Sequence, residues 1–411
     1  MTMPKKPKNR TANLQLMQNL NINLVLDVIR NNSPISQAEI SRVTRLSPGT
    51  ITNLIKILKK NNFVRETGFG QSSGGRRPVL LSLNPEARYV MAATFFADEI
   101  TVALLNLLGD IKKEVKVAAE VEKGETRVFE NFVRAADSLL DALHLDKKNI
   151  LGLGASFEGI FDSGEGMLIL SNRFGWRNVP VRDLLKKSYG LKTFVEGDGR
   201  AMALGEYHYG AGKAVTNMVC IDMDSGIGSA AVLNGSVYHG AFSMEGEIGH
   251  IQAVSDGPKC RCGKRGCLET VASGSALIAR VRRALENGEK FKGLHLKNSL
   301  PEHLLAKAIF QAAQEDEGVL GMVEEIGCHL GLAVANVINY SDPELVVLTG
   351  YMIHESGELL SNIIEEVARE QLVAGASRKV RIEKGVLGDN AALIGAASLV
   401  CWGFKPCGKP G

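Results

Sequence analysis

The chain has 411 residues, 45% hydrophobic and 23% charged, with 44 glycines, 12 prolines and seven cysteines spread over its length. That is more than one hydrophobic core usually supports, so two or three domains are expected, and the balance excludes a disordered, collagen-like or disulfide-scaffold protein. The net charge of +3 hides a division, since residues 1–84 hold 13 Lys/Arg against 3 Asp/Glu and the remainder holds 35 against 42, a basic head on an acidic body that points the head at nucleic acid.

The opening MTMPKKPKNR is basic, and the polar TANLQLMQNLN after it lacks the apolar core of a signal peptide. With no run of eighteen apolar residues, a cytoplasmic protein is expected. Ile22, Val25, Leu26 and Ile29 recur with helical spacing and Pro34 ends that segment. Ser36-Gln-Ala-Glu39 reads as a capping box that opens a short second helix. After a turn at Thr44-Arg45-Leu46, Ser47 and Pro48 supply an N-cap and an N1 proline, and Ile51, Leu54, Ile55 and Leu58 form one apolar stripe. This third helix turns Gly49, Thr50, Thr52, Asn53 and Lys56 outward. Short polar side chains there reach base edges in a major groove, and Lys56 suits phosphate. A plain three-helix bundle has the same stripe, so the sequel decides. FVRETGFGQSSGGRRPVLLSLN alternates into two strands around a Gly/Ser loop with Arg76 and Arg77, a β-wing able to grip phosphates or a minor groove. Residues 1–84 are expected to be a winged helix-turn-helix that binds double-stranded DNA through Thr50, Thr52, Asn53, Lys56, Arg76 and Arg77; a protein-docking winged helix is the alternative.

After Pro85, MAATFF, ITVALLNL, ILGLGAS, TFVEGDG, MVCIDMD and LVVLTG are strand candidates interleaved with helical stretches, the pattern of an α/β body. Within it, CRCGKRGC sets Cys260, Cys262 and Cys267 in eight positions. In a reducing compartment such a cluster favours metal over a disulfide. Cys220, Cys328, Cys401 and Cys407 have no comparable setting and are expected to be packing residues or tail thiols.

The segments NRFGWRNVPVRDLLKKSYGLKTFVEGDGRAMALGE, SGIGSAAVLNGSVYHGAFSMEGEIGHI, CRCGKRGCLE and ALIGAASLV, together with the head, resemble the ROK family of repressors and sugar kinases. Within it they resemble the xylose-repressor-like and N-acetylglucosamine-repressor-like regulators. The resemblance implies two actin-like, ribonuclease-H-like lobes with a sugar site in the cleft: residues 85–197, completed by 384–411, and residues 198–383 with a zinc loop. It implies that His250 joins Cys260, Cys262 and Cys267 around one structural Zn2+ per protomer, four protein ligands leaving no open position. A ring nitrogen of His250 fixed on metal leaves the other to meet a sugar hydroxyl. By the same resemblance Glu247 and Glu269 accept sugar hydroxyls, Asn172 lines the pocket, and Asp198 matches the kinases' general base.

The chain departs from the kinases where they bind nucleotide. Their Asp-x-Gly-Gly-Thr turn is replaced by Thr94-Phe-Phe-Ala-Asp98, whose bulk and extra carboxylate are expected to keep phosphates away. Asp224 stands in place of glycine before Ser225-Gly-Ile-Gly228, and Leu348-Thr-Gly-Tyr-Met352 is a glycine-poor version of a later nucleotide turn. Gly197 replaces an asparagine that contacts sugar in the kinases. The expectation is a sugar-responsive transcriptional repressor without kinase activity. It is expected to be a homodimer or a dimer of dimers on operator DNA, answering to a small neutral sugar, xylose or glucose. The alternatives are a sugar kinase with a DNA-binding head and a repressor governed by a partner protein.

Overall fold

The structure, a computed structural model, describes residues 14–71, 77–296, 300–375 and 379–402. Arg76, the N-terminal lysines and Cys407 lie outside the described residues. The head runs α1 (Leu14–Asn32), β1 (Ile35–Ser36), α2 (Gln37–Thr44), α3 (Pro48–Lys60), β2 (Val64–Phe69) and β3 (Val79–Leu83). Both helix starts form as the sequence predicts. The Glu39 amide donates to Ser36 Oγ at 3.3 Å while Ser36 N donates back to Glu39 Oε2 at 3.0 Å, and Thr50 N donates to Ser47 Oγ at 3.2 Å. Ile51, Leu54, Ile55 and Leu58 close on Val25, Ile29, Ile40 and Leu81, and the cluster continues to Ala87 and Leu107 at the edge of the body.

The body repeats one sheet plan twice. Its first half holds β4 (Tyr89–Phe95), β5 (Glu99–Asn106), β6 (Ile111–Ala118), α4 (Glu125–Ala142), β7 (Ile150–Phe157), β8 (Ile160–Asp162), β9 (Met167–Ser171), β10 (Trp176–Val179), α5 (Val181–Tyr189), β11 (Thr193–Gly197) and α6 (Asp198–Tyr209). The main sheet is ordered β11-β7-β4-β5-β6, with β4 to β6 an antiparallel meander and β7 and β11 parallel to β4. Strands β8 to β10 form a small separate sheet. The second half holds β12 (Met218–Met223), β13 (Ile227–Leu233), β14 (Ser236–Val237), α7 (Leu268–Ala272), α8 (Gly274–Glu286), α9 (Glu302–Ala312), α10 (Glu317–Ser341), β15 (Leu345–Thr349), α11 (Tyr351–Glu355), α12 (Leu359–Glu370), β16 (Arg381–Lys384) and α13 (Ala391–Trp402). Its sheet, β14-β13-β12-β15-β16, again joins an antiparallel meander to two parallel strands. This duplicated plan is the ribonuclease-H-like pair that the resemblance implies.

Each sheet buries both faces. On one face of the first, Phe95 and Phe157 stack at 4.3 Å among Phe132, Leu139 and Val195. On the other, α13 lays Leu393, Ala396, Ala397 and Val400 against Val90, Ala92, Ala103 and Leu105. Helix α10 has the length and hydropathy of a membrane span, the one such helix among the described residues, but its Val323, Ile326, Leu330 and Val334 are core residues. Phe95 corrects one expectation: its ring turns into the core, so it does not obstruct a phosphate. Cys328 is exposed on α10, not packed.

Helices α6 and α13 meet between the sheets because glycine lets their backbones touch. A Cβ on Gly395 would stand 1.6 Å from the Ala201 carbonyl oxygen, one on Gly205 2.2 Å from that of Ala391, and one on Gly154 of β7 1.8 Å from that of Ala396. No rotamer relieves a backbone clash. Gly154→Val is expected to push α13 off its sheet and cost about 1–3 kcal/mol, seen as a lower urea midpoint. An unchanged midpoint would show that the helix has room to move.

Candidate functional site

The head presents α3 and the wing. Asn53 and Lys56 are exposed on α3, as is Arg77 at the wing's return. The two threonines are less free than the sequence suggests. Thr50 Oγ1 is 2.9 Å from the Ser47 hydroxyl, and Thr52 Oγ1 donates to Pro48 O at 2.9 Å. Arg42 in the last turn of α2 and Arg45 in the turn before α3, both exposed, extend the basic face, although no sequence motif marks them.

In the body, β11 ends at Gly197 and the chain turns into α6 at Asp198, the carboxyl end of a parallel strand, where open α/β sheets place ligands. Burial drives the Asp198 carboxyl up to about 7; the Gly199 amide opposes the shift and the charge of Glu158 adds to it. From the other half, Glu247, His250 and Glu269 gather at the start of β13. Gly246 O accepts from Ser229 N at 2.9 Å, and a Cβ on Gly249 would strike Ile227 O at 2.2 Å, so this segment lies flat on the strand. Glu269, one residue into α7, brings Oε2 to 2.6 Å from where a Cβ on Gly226 would sit. The Ser225–Gly228 loop thus leaves room for that carboxylate. Asn172 is exposed in the β9–β10 turn, and it is its neighbour Arg173 that approaches Glu158, 3.4 Å from Oε1.

The four expected metal ligands converge. One ligand atom each from His250, Cys260, Cys262 and Cys267 lies within 4.8 Å of all the others. Cys260 Sγ is 3.5 Å from His250 Nδ1 and Cys262 Sγ is 3.6 Å from Cys267 Sγ. Those separations approach the ~3.7 Å edge of a tetrahedron with bonds of about 2.3 Å, and no disulfide forms. The knuckle is shaped by glycine: Gly263 takes φ 94° and Gly266 φ 68°, and a Cβ on Gly266 would meet Val254 O at 1.7 Å. Three cysteine sulfurs and an imidazole are a donor set that would suit zinc, with His250 Nδ1 turned toward the sulfurs and Nε2 facing Glu247 Oε2 at 3.8 Å.

Sequence reasoning missed the group that links the two sides. Arg200, in the first turn of α6, donates through Nε to Glu196 Oε1 at 2.6 Å, through Nη1 to Glu245 Oε1 at 2.5 Å and through Nη2 to Phe161 O at 2.6 Å. Side-chain exposure is 9% for Arg200, 3% for Glu196 and 10% for Glu245, so these are buried charges held by full pairing. His239 Nε2 lies 2.8 Å from Glu196 Oε2, Ser163 Oγ donates to Glu196, and Gly240 N donates to Glu245 Oε2 at 2.9 Å. The loop that leads to Glu247 and His250 is thereby fastened to the Asp198 turn. Burial pushes the Glu196 carboxyl up, but His239, Arg200 and Ser163 outweigh it and hold the group below its usual range. Glu196 in turn raises the His239 pKa.

At the turn before α11, Asp224 reaches across from the end of β12. Its Oδ1 accepts from Tyr351 N at 2.5 Å, and its carbonyl accepts from Gly274 N at 2.8 Å. The Tyr351 side chain lies on Gly274, its hydroxyl 2.0 Å and its nearest ring carbon 2.6 Å from a Cβ there, and that hydroxyl donates to Glu302 at 3.1 Å. Burial and mutual repulsion raise Asp222, and burial raises Asp224. That environment disfavours a second anion.

A winged-helix head on a duplicated ribonuclease-H-like body, with a knuckle of one histidine and three cysteines in the second half, defines the class of protein. Residues 96–401 match the ROK family and residues 10–65 match the winged helix-turn-helix DNA-binding family; the chain belongs to the ROK family. It is 30% identical to the xylose repressor of Bacillus subtilis (strain 168), over 95% of this chain and 97% of that one. It is 34% identical to a glucokinase of Halalkalibacterium halodurans over 73% of this chain and 91% of that one. Among solved structures it resembles a ROK family transcriptional regulator described as a homologue of the E. coli MLC protein, with TM-score 0.81, 27% identity, and 95% and 97% of the two chains covered.

Proposed function

We propose that the chain is a sugar-responsive transcriptional repressor that works in the cytoplasm. Residues 1–84 are read as the DNA-binding head, 85–197 with 384–411 as one lobe and 198–383 as the other. The observation that carries the reading is the joining of the head to the cleft in one chain, in an arrangement that spans 95% of its length in both the xylose repressor and the solved regulator. The head binds operator DNA through Asn53, Lys56, Arg76 and Arg77, with Thr50 and Thr52 contributing methyl groups more than hydroxyls. Two or four copies read paired half-sites. The sugar, xylose or glucose, is held by Asp198, Glu247, His250 and Glu269, with Asn172 at the rim. The knuckle holds one Zn2+, which supplies charge and a fixed geometry and has no open position for chemistry. The plugging of the α11 turn by Asp224 supports a body that has lost nucleotide, so Asp198 binds sugar without deprotonating it for phosphate transfer.

A sugar releases DNA only if it prefers the DNA-incompetent arrangement, because a ligand indifferent to two states shifts nothing. The test is to select operator sequences with the full chain, then titrate the complex with xylose and glucose. Release by one sugar at a concentration that leaves random-sequence complexes intact is expected, with no sugar phosphate formed when ATP is added. Turnover of ATP that depends on the sugar and vanishes in Asp198→Asn would replace this reading with that of a kinase.

A further inference from the structure

The parallel strands β4, β7 and β11 end in one row, with Phe95 beside Phe157 and Phe157 beside Gly197. Just past those ends stand Asp98 in the β4–β5 turn, Glu158 and Asp198. The β9–β10 turn holds Arg173 against this row. Its Nη1 lies 3.4 Å from Glu158 Oε1 and its Nη2 3.9 Å from Asp98 Oδ1, which sets the guanidinium at the ends of β7 and β4, one strand spacing of about 4.8 Å from the β11 end that carries Asp198. Neither contact is tight. A charge-assisted bond closes to about 2.7–2.9 Å, and the approach to Asp98 is beyond hydrogen-bonding reach. Glu158 is secured by other means, its own amide donating to Phe95 O at 3.3 Å and the Ala97 amide bonding its carboxylate. The Arg173 side chain is 52% exposed, and among the described residues no other acid or acceptor meets its N–H groups.

We propose that Arg173 is a further sugar-contacting and specificity-determining residue, whose guanidinium donates to a ring hydroxyl next to the one that Asp198 meets. The inference rests on the sugar reading of the cleft. Of the five side chains which that reading assigns, Asp198, Glu247 and Glu269 are carboxyl groups, which mainly accept, and His250 Nε2 already faces Glu247. Gly197, just before Asp198, supplies no donor, and a Cβ there would press on Arg200 Nη2 at 3.3 Å. A sugar hydroxyl both donates and accepts, so a site made mostly of carboxylates leaves its lone pairs unanswered. Arg173 offers five N–H donors and no acceptor, and most of them are free. The alternative is a bare counter-ion for Glu158 and Asp98. Asp98 is 77% exposed, and an ion pair so open to water contributes little. Burial keeps the Glu158 carboxyl raised in spite of Arg173, so the cation is not spent on that acid either.

The experiment is calorimetric titration of the full-length chain with D-xylose and D-glucose, and with the single-position deoxy analogues of each. Arg173→Met keeps the apolar stem and Arg173→Ala removes the side chain; a melting curve for each establishes folding. Both variants are expected to bind the cognate sugar about ten- to a hundredfold more weakly, the worth of one hydrogen bond to a charged group. For the one analogue that lacks the accepting hydroxyl, parent and variants should bind alike. Equal affinities of parent and variants for every sugar overturn the proposal. So does an equal loss on every analogue, which would show that Arg173 acts only as a counter-ion. Phenylglyoxal, which modifies exposed guanidinium groups, gives a reading on the parent alone: saturating sugar is expected to suppress the modified Arg173 peptide in the mass spectrum. Modification that is equal with and without sugar overturns the proposal even if neither variant folds. A parent that binds neither sugar removes the sugar reading and this inference together, whereas a parent that binds, and loses affinity in Glu247→Gln but not in the Arg173 variants, removes only the inference.

Discussion

Replacing Arg200 by alanine is expected to destabilise the fold by about 3–5 kcal/mol, the largest single-residue effect outside the metal knuckle. The guanidinium makes three donations to two carboxylates and one carbonyl, all in surroundings nearly closed to water. Its loss leaves Glu245 without a cation and Glu196 with His239 alone, and a methionine of similar length does not relieve that. The signature is the pH dependence. In the parent, Glu196 has a lowered pKa, so its contribution is present above the ordinary carboxylate range and lost as pH falls through the lowered value. In the variant, an unpaired buried carboxylate titrates upward, and protonation relieves it. The deficit in urea stability should therefore shrink as pH falls from 7 toward 4. A deficit that stays constant with pH would mean that Arg200 contributes packing alone. His239 acts in the opposite sense: its raised pKa gives stability present at low pH and lost as pH rises through the raised value. Asp198, raised to about 7, likewise favours the folded state less as pH climbs from 4 to 7. The parent is thus expected to be more stable near pH 6 than near pH 8.

Arg200 also marks where sequence reading stops. The six strand candidates appear in the structure because each is a short apolar run bounded by turn residues, and the helix starts of the head are legible because Ser36, Glu39, Ser47 and Pro48 act locally. Strand β6, IKKEVKVA, is not legible in the same way, since its alternating charges describe an exposed edge as well as a loop. The knuckle is legible for the same reason as the caps: three of its ligands lie in eight residues, and His250 is close by in the chain. The Arg200 network draws on residues 161, 163, 196, 200, 239 and 245, which only the packing of α6 against both halves brings together. Glu196 and Arg200 have helix-pair spacing, but a strand residue and a helix residue do not form such a pair by rule. Asp224 stands out in the sequence through an absent glycine; that it accepts from the Tyr351 amide at the start of α11 can be learned only from the fold.

Replacing Cys260 by serine is expected to abolish tight binding of about one zinc per chain and to unfold the knuckle locally. Four-ligand thiolate sites bind with apparent free energies of roughly 10–16 kcal/mol at neutral pH, and most of that goes into ordering the chain that carries the ligands. Between His250 and Cys267 the described backbone forms no regular helix or strand, only turn hydrogen bonds and two isolated bridges, Gln252 with Cys267 and Lys259 with Arg265. Loss of order should spread both ways, because Glu247 opens the short helix that ends in His250, and α7, with Glu269, begins directly after Cys267. The readouts are metal content, the visible spectrum after cobalt replacement, and amide exchange over residues 247–270. Parent-like exchange protection in a metal-free variant would show that the knuckle folds without metal. His250→Cys separates the two duties assigned to that histidine. Four thiolates still close a tetrahedron, so metal and exchange protection should persist, but no ring nitrogen remains to face Glu247 or a sugar. If the sugar response survives in His250→Cys, the imidazole serves the metal alone; if it falls while the knuckle stays ordered, one side chain couples the two sites, and the zinc sets the direction in which the cleft presents its donor.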